Sequence, residues 1–148
     1  MPHPKILNKP LYAYTKNGKI IYIGFEMYGG EMCEGLLEEI GEYLEGRRRS
    51  FSFEPDLSVY PMKVRVVLEY IYKNLRFGEV ITYGEIARVL DLHPRFVGYA
   101  LSKNRHLILI PCHRVISKNG LGGFSAGLDI KRFLLRVEGI KIYPSLYP

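Results

Sequence analysis

The sequence lacks tryptophan and glutamine, and it has only two cysteines, Cys33 and Cys112, among 148 residues. Two thiols 79 positions apart form neither a disulfide framework nor the ligand spacing of a zinc site. No apolar run is long enough to cross a membrane, and the N-terminus has no signal-peptide pattern. These absences exclude small disulfide-rich scaffolds and zinc fingers, and we expect a cytoplasmic protein with no membrane partner.

The composition is that of a folded protein with an uneven distribution of charge. Hydrophobic residues make up 47% of the chain, which is enough to build a core. Residues 1–60 carry 7 Lys and Arg against 9 Asp and Glu, a net charge of −2, whereas residues 61–148 carry 14 against 6, a net charge of +8. We predict an N-terminal domain over 1–55, a linker over 56–60 and a basic domain over 61–148 that suits a polyanion or is simply solvated.

The N-terminal domain is predicted to be a β-hairpin followed by a helix. Two apolar segments, Leu11–Thr15 and Ile20–Phe25, flank Asn17-Gly18, a dipeptide typical of tight hairpin turns. Apolar residues at helical spacing follow over Glu31–Glu45, with Gly46 as the stop. No chemistry is evident in this domain, and Cys33 is interpreted as a structural thiol.

The basic domain opens with a helix from Pro61 to Gly78 and continues with a helix-turn-helix pattern. Thr82 and Glu85 match a capping box at the start of one short helix, and Pro94 suits the first position of the next. The second helix turns a largely small and polar face outward, which lets its backbone approach a partner closely: Arg95, Gly98, Tyr99 and Ser102.

The candidate chemistry lies in the segment around Cys112. The apolar run Leu107–Ile110 is predicted to be a buried strand that leads into Pro111-Cys112-His113-Arg114. A reactive thiol here needs a base to offset burial, which His113 offers through a sharp turn or a bridging water, and Glu138 is the best candidate to orient it. From the residues alone an inert buried cysteine is the favoured interpretation, because lone buried thiols are common.

A glycine-rich loop and a final amphipathic helix complete the chain. The loop spans 119–127, and the helix is predicted over Leu128–Glu138 with Gly139 as its cap. The loop is interpreted either as a linker or wing, or as a wall of backbone N–H groups that closes a pocket.

Several motifs in order resemble the catalytic domain of the O6-alkylguanine-DNA alkyltransferases over about residues 61–140. The core of the resemblance is Pro111-Cys112-His113-Arg114-Val115. The flanking matches are Phe77–Val80, Thr82-Tyr83, Arg95, Val97-Gly98, Ala100, Asn104, Gly122–Ser125, Gly127-Leu128, Lys131, Leu134-Leu135 and Glu138-Gly139. The resemblance implies an α/β (α+β) fold: a small, ribonuclease-H-like N-terminal domain before a winged helix-turn-helix catalytic domain.

The resemblance implies DNA repair by direct reversal of damage. Cys112 would accept the alkyl group of O6-alkylguanine, and of O4-alkylthymine, irreversibly and once, with no cofactor and no metal. His113 would polarise the thiol through a water and be held by Glu138, while Arg114 would be structural. The partner would be double-stranded DNA bound by a monomer.

Other residues take their implied roles from the same resemblance. Arg95 would fill the gap left by the flipped nucleotide, with Thr82, Gly98, Tyr99 and Ser102 on the DNA-binding face. Tyr83 would turn the nucleotide out and assist protonation of guanine, and Asn104 would be a hinge residue. Carbonyls of Cys112 and Val115 and the N–H of Ser125 would contact the base.

The sequence departs from the family pattern at four positions near the site. Arg105 stands where proline usually follows Asn104, Phe124 where tyrosine is common, and Ala126 where glycine is common, while Phe96 replaces a small residue. Ala126 is expected to narrow the pocket and disfavour bulky alkyl groups.

Three other functional classes compete with alkyl transfer. Alkyltransferase-like lesion binders replace the cysteine, which is present here as Cys112. A winged-helix transcription factor leaves the Pro-Cys-His-Arg segment without a role, and a cysteine hydrolase leaves the helix-turn-helix unexplained.

Overall fold

The computed structural model describes residues 3–141, so the segment predicted as part of the basic domain beyond Lys141 lies outside the described residues. The N-terminal part is strand-rich. A short pair, β1 (Lys5–Ile6) and β2 (Lys9–Pro10), precedes the hairpin of β3 (Tyr12–Lys16) and β4 (Lys19–Gly24). Strand β5 (Glu31–Met32) pairs antiparallel with the other edge of β3, and helix α1 spans Glu34–Leu44.

The predicted hairpin is confirmed in its position and in its turn. Asn17 and Gly18 both have positive φ values, 53° and 80°, as a two-residue type I′ turn requires. The predicted helix begins later than expected, because Glu31 and Met32 extend the sheet before the chain turns into α1. Gly46 ends this helix at a φ of 78°, as predicted.

The C-terminal part is mostly helical. A 3₁₀ helix, Leu57–Val59, lies in the predicted linker and leads into α2 (Met62–Asn74). The pair α3 (Tyr83–Leu90) and α4 (Pro94–Ser102) follows, and α5 spans Leu128–Val137. Two short strands, β6 (Ile81–Thr82) and β7 (Val115–Ile116), pair in parallel. The α/β fold class is confirmed, and no helix within residues 3–141 has the length and apolarity needed to cross a membrane.

The helix-turn-helix prediction holds in its local chemistry. Thr82 accepts from the backbone N–H of Glu85 while the Glu85 side chain accepts from Thr82, so both halves of the capping box are present. Asp91 closes α3 in a left-handed conformation, and Pro94 is the first residue of α4. One boundary is wrong: α2 ends at Asn74 rather than at Gly78, because Leu75 adopts an extended backbone.

The predicted strand Leu107–Ile110 is wrong, although all four residues are buried. The segment is a series of turns, in which Leu109 N–H donates to the Leu107 carbonyl and Ile108 has a φ of 72°. The turns send successive side chains to two different cores. Leu107, Ile108 and Leu109 pack with the N-terminal sheet and α1, whereas Ile110 packs among the C-terminal helices. An apolar run alone does not distinguish these turns from a strand.

Candidate active site

The Pro-Cys-His-Arg segment forms a sharp turn that separates three neighbouring side chains. Cys112–Arg114 is a 3₁₀ helix between Pro111 and β7, and all three of its residues are buried. Cys112 lines a pocket, whereas His113 and Arg114 both bind the carboxylate of Glu138. The turn therefore places a thiol on one side of the segment and an ionic cluster on the other.

Glu138 is the centre of that ionic cluster. His113 Nε2 donates to Oε2 at 2.6 Å, and Arg114 donates to both carboxylate oxygens at 2.8 and 3.0 Å. Arg114 also donates to the carbonyl of Leu75 at 3.0 Å, so its predicted structural role fits its contacts. The contact between His113 and Glu138 was expected from the sequence, whereas the binding of Arg114 to the same carboxylate was not.

Two further donors to Glu138 were not found from the sequence. The hydroxyl of Tyr43, which comes from α1, donates to Oε2 at 2.5 Å, and the N–H of Gly78 donates to Oε1 at 2.9 Å. No motif near Tyr43 marks it as a partner of Glu138, because the two residues lie 95 positions apart in the sequence. Helix α1, in the N-terminal part of the chain, thus supplies a residue to the ionic cluster.

The ionisation of the cluster follows from these contacts. Burial by itself raises the pKa of Glu138, but the hydrogen bonds from His113 and Arg114 and the charge of Arg114 hold it well below its usual range. Burial lowers the pKa of His113 despite its bond to Glu138. His113 is therefore neutral at pH 7, with its proton on Nε2 and an acceptor at Nδ1.

Nδ1 of His113 is a buried polar atom without a protein partner. Among the residues that the structure describes, it is the sole buried side-chain nitrogen or oxygen in this position. No direct hydrogen bond between Cys112 and His113 occurs in residues 3–141. Nδ1 of His113 can therefore accept a hydrogen bond from a small polar molecule such as water.

Cys112 has one side-chain donor, the amide of Asn104. Asn104 Nδ2 lies 3.0 Å from Sγ and donates also to the carbonyl of Ile110 at 2.8 Å. Burial raises the pKa of the Cys112 thiol to about 11, while the Asn104 hydrogen bond and the charge of Lys131 oppose this shift. The cysteine is a thiol at pH 7 and needs a base to react.

Cys112 lies at a pocket of about 470 Å³ between α4 and the glycine-rich loop. The pocket brings together six of the predicted site residues: Tyr83, Gly98, Ser102, Cys112, Phe124 and Ser125. Tyr83 hydroxyl donates to the carbonyl of Gly123 at 3.2 Å, which fixes the ring against the loop. Ala126 lines a smaller neighbouring cavity of about 170 Å³ that also reaches Cys112 and Asn104.

Lys131 is a buried charged residue that the sequence analysis quoted without assigning it a role. Its Nζ donates to the carbonyls of Val115 at 2.6 Å and of Gly123 at 3.0 Å. Burial lowers its pKa to about 8, and the nearby Cys112 opposes that shift. The signal available in the sequence for a buried Lys131 was a lysine at an inward position of the predicted C-terminal helix. Val115 itself is buried in the C-terminal core, with its carbonyl engaged by this lysine.

Four of the six predicted DNA-binding residues lie on α4, whereas Thr82 lies on β6 and Tyr83 begins α3. Arg95, Tyr99 and Ser102 are exposed, and a Cβ on Gly98 would meet nothing within 4 Å, so the face is open to a partner. Arg95 is not among the residues that line the pocket. Thr82 lies on β6, where its hydroxyl is engaged in the capping box of α3.

Comparison with known proteins gives a family for this arrangement. The family model described as "6-O-methylguanine DNA methyltransferase, DNA binding domain" matches residues 64–140. The chain belongs to the O6-methylguanine-DNA methyltransferase family. The methylated-DNA–protein-cysteine methyltransferase of Metallosphaera sedula is 38% identical over 88% of this chain and 86% of the relative. That of Methanocaldococcus vulcanius is 39% identical over 93% and 74%.

Solved structures of this methyltransferase family share the fold of most of this chain. Mycobacterium tuberculosis OGT in complex with DNA superposes with a TM-score of 0.78 at 27% identity, over 87% of this chain and 86% of that one. The O6-methylguanine-DNA methyltransferase of Pyrococcus kodakaraensis gives 0.73 at 27% identity, over 93% and 96%. The resemblance drawn from the motifs is confirmed.

Proposed function

We propose that this protein repairs alkylated double-stranded DNA by transferring the alkyl group of O6-alkylguanine, or of O4-alkylthymine, onto Cys112. The observation that carries the proposal is the position of the Cys112 thiol. It lies at a pocket that opens beside the exposed face of α4, one residue from a histidine bound to a buried carboxylate. The family relationship fits the same chemistry.

The base in this proposal is His113, acting through a bridging water. The Nε2–H of His113 is committed to Glu138, so Nδ1 is free to accept a proton. We infer that a water between Nδ1 and Sγ carries the thiol proton to the imidazole, and that ionised Glu138 stabilises the imidazolium that forms. Asn104 and Lys131 stabilise the thiolate with an N–H donor and a positive charge.

The transfer itself is a displacement at the alkyl carbon. The thiolate of Cys112 forms an S–C bond as the C–O6 bond breaks, and the electron pair leaves on the guanine. Tyr83, whose hydroxyl is at the pocket, assists protonation of the leaving base. The product is a thioether with no group nearby to cleave it, so each molecule reacts once.

The alkylated base must leave the duplex before Cys112 can reach it, which costs a few kcal/mol. The exposed face of α4 suits this step because Gly98 permits close approach and Arg95 can occupy the space that the base leaves. Within the pocket the backbone N–H of Ser125 faces O6, and the carbonyls of Cys112 and Val115 accept from the guanine amino group. The Val115 carbonyl must then accept from the base and Lys131 together. Phe124 and Ala126 limit the room for the alkyl group.

Intact-mass measurement after incubation with a duplex that contains one O6-methylguanine tests this function. The wild type should gain the mass of one methyl group, and Cys112→Ser should gain none while it still binds the duplex. Cys33→Ser is the matched control, because Cys33 packs in the N-terminal core and should not affect transfer. Methylation of the Cys112→Ser variant at a wild-type rate contradicts the assignment of the nucleophile.

The proposal includes a monomeric, cytoplasmic protein that needs no cofactor. No cluster of three or more His, Cys, Asp or Glu suited to a metal ion occurs in residues 3–141. Sedimentation with and without the methylated duplex tests the monomer, and transfer in the presence of a chelator tests independence from metal.

A further inference from the structure

A second buried network of hydrogen bonds contacts Asn104 and does not include the ionic cluster around Glu138. It consists of Tyr60, which ends the 3₁₀ helix of the linker, and His106, which follows the hinge residue. Tyr60 is 6% exposed and His106 is fully buried. Neither residue touches the pocket, and the proposed reaction has not used them.

The chemistry of the partners determines which group donates and which accepts in each hydrogen bond of this network. His106 Nε2 faces the carbonyl of Ile20, which can only accept, so Nε2 carries a proton. Burial lowers the pKa of His106 to about 4, so the ring is neutral at pH 7 and Nδ1 accepts from the Tyr60 hydroxyl. The Tyr60 oxygen in turn accepts from the backbone N–H of Arg105 at 2.8 Å.

The same network fixes the side-chain amide of Asn104. Its Oδ1 accepts from the backbone N–H of His106 at 2.8 Å and lies 3.3 Å from the Tyr60 hydroxyl. Its Nδ2 faces the Ile110 carbonyl, so the amide cannot flip without losing contacts at both ends. The remaining N–H of Asn104 therefore points at Cys112 Sγ.

This arrangement explains the departure from the family pattern at Arg105. A proline at this position has no N–H and could not donate to Tyr60. In this protein the hydrogen bond from the Arg105 N–H to the Tyr60 hydroxyl restrains the backbone. In relatives with proline at this position, the proline ring restricts it. The network also extends into the N-terminal domain, because Ile20 lies on β4.

We propose that Tyr60 and His106 are positioning residues for the alkyl transfer: they hold the Asn104 amide so that its N–H stabilises the Cys112 thiolate. This inference rests on the proposed function for its biological meaning. It predicts a property of the thiol that can be measured without DNA. Removing the Tyr60 hydroxyl should loosen Asn104 and raise the pKa of Cys112.

The test is the pH dependence of Cys112 alkylation by iodoacetamide between pH 6 and 11, followed by intact mass in a Cys33→Ser background. Lys131 from α5, Tyr83 from α3 and His113 in the chain also surround Cys112, and they stay unchanged in each variant. Tyr60→Phe should slow alkylation at pH 8 about threefold to tenfold, with the profile displaced to higher pH. Tyr72→Phe removes another partly buried hydroxyl and is the matched control, with no displacement.

A second variant guards against a general loss of structure. His106→Phe removes the acceptor of the Tyr60 hydroxyl while keeping Tyr60, and should displace the profile in the same direction. Profiles that coincide with that of Tyr72→Phe, in variants shown to be folded by their melting curves, overturn the proposal. Methyl transfer by the wild type is measured in parallel. Its absence contradicts the proposed function, whereas the iodoacetamide profile still decides the role of Tyr60.

Discussion

Two sides of one short turn, Cys112–Arg114, are built in opposite ways. On one side His113 and Arg114 meet Glu138, whose carboxylate accepts from four different residues and is ionised while buried. On the other side Asn104 is the one side-chain donor to Cys112 among residues 3–141, and burial raises the pKa of the Cys112 thiol to about 11.

The difference indicates that one side of the turn contributes mainly to stability and the other mainly to the reactivity of Cys112. Both oxygens of the Glu138 carboxylate accept hydrogen bonds, so this group fixes the orientation of His113 and its loss is costly. The thiol side has few contacts, so each of them has a large share in setting the reactivity of Cys112. We therefore expect the loss of Glu138 to act mainly on stability and the loss of a contact to Cys112 to act mainly on rate.

Removing the centre of the ionic side should have the largest effect on stability. Glu138→Ala leaves Arg114 buried without its partner and should lower the free energy of unfolding by about 3–5 kcal/mol. Urea unfolding measures this change. Glu69→Ala, which removes a partly exposed ion pair with Lys73, is the control and should cost less than about 1 kcal/mol. Similar losses in the two variants would contradict the contrast between buried and surface pairs.

Acid should act on the network of Tyr60 and His106 while Glu138 is still ionised. The folded pKa of His106, about 4, lies below its unfolded value, so the unfolded state binds more protons between these values. The stability that neutral His106 contributes is therefore complete above about pH 6.5 and should fall by about 3 kcal/mol as the pH drops to 4. Glu138 keeps its charge in this window, because its pKa is held well below its usual range.

Urea unfolding at pH 7, 5 and 4 measures the acid effect. His106→Gln, which keeps a donor and an acceptor but does not titrate, should lose less stability than the wild type over this range. His93→Gln is the control at an exposed histidine; because His93 also caps α4, its change in stability with pH is compared with the wild type, and not its stability at pH 7. An unchanged slope in the His106 variant would show that the loss arises elsewhere, with buried His113 the next candidate.

The sequence predicted the parts of the molecule whose chemistry is local. The Asn17-Gly18 turn, the Thr82–Glu85 capping box and Pro94 at the start of α4 each depend on residues a few positions apart. The grouping of Cys112, His113 and Glu138 spans more of the chain and came from motif order. The structure confirms that His113 binds Glu138.

The parts that the sequence did not predict depend on distant or tertiary contacts. Tyr43 meets Glu138 across 95 positions, and Tyr60 meets His106 across 46, with no motif to mark either pair. The segment Leu107–Ile110 was mistaken for a strand because its apolar residues serve two cores, an arrangement that periodicity does not show. The burial of Lys131 likewise depends on carbonyls that the glycine-rich loop brings to it.

The smallest effect among these predictions should come from removing the positive charge of Lys131 near Cys112. Lys131→Met removes a charge that favours the Cys112 thiolate, so methyl transfer at pH 7 should slow about tenfold. Single-turnover kinetics with a methylated duplex measures the rate. Lys73→Met, on the exposed end of α2, is the control and should leave the rate unchanged. If the Lys131 variant transfers the methyl group as fast as this control, the charge of Lys131 does not contribute to the reactivity of Cys112.

The central claim is that Cys112 accepts one alkyl group and keeps it. Titration of the protein with increasing O6-methylguanine duplex, with transferred methyl groups counted by mass and located by peptide mapping, tests this most directly. We predict that transfer stops at one equivalent and that the methyl group lies on the peptide with Cys112. Transfer beyond one equivalent, or a methyl group on Cys33 or any other residue, would contradict the claim.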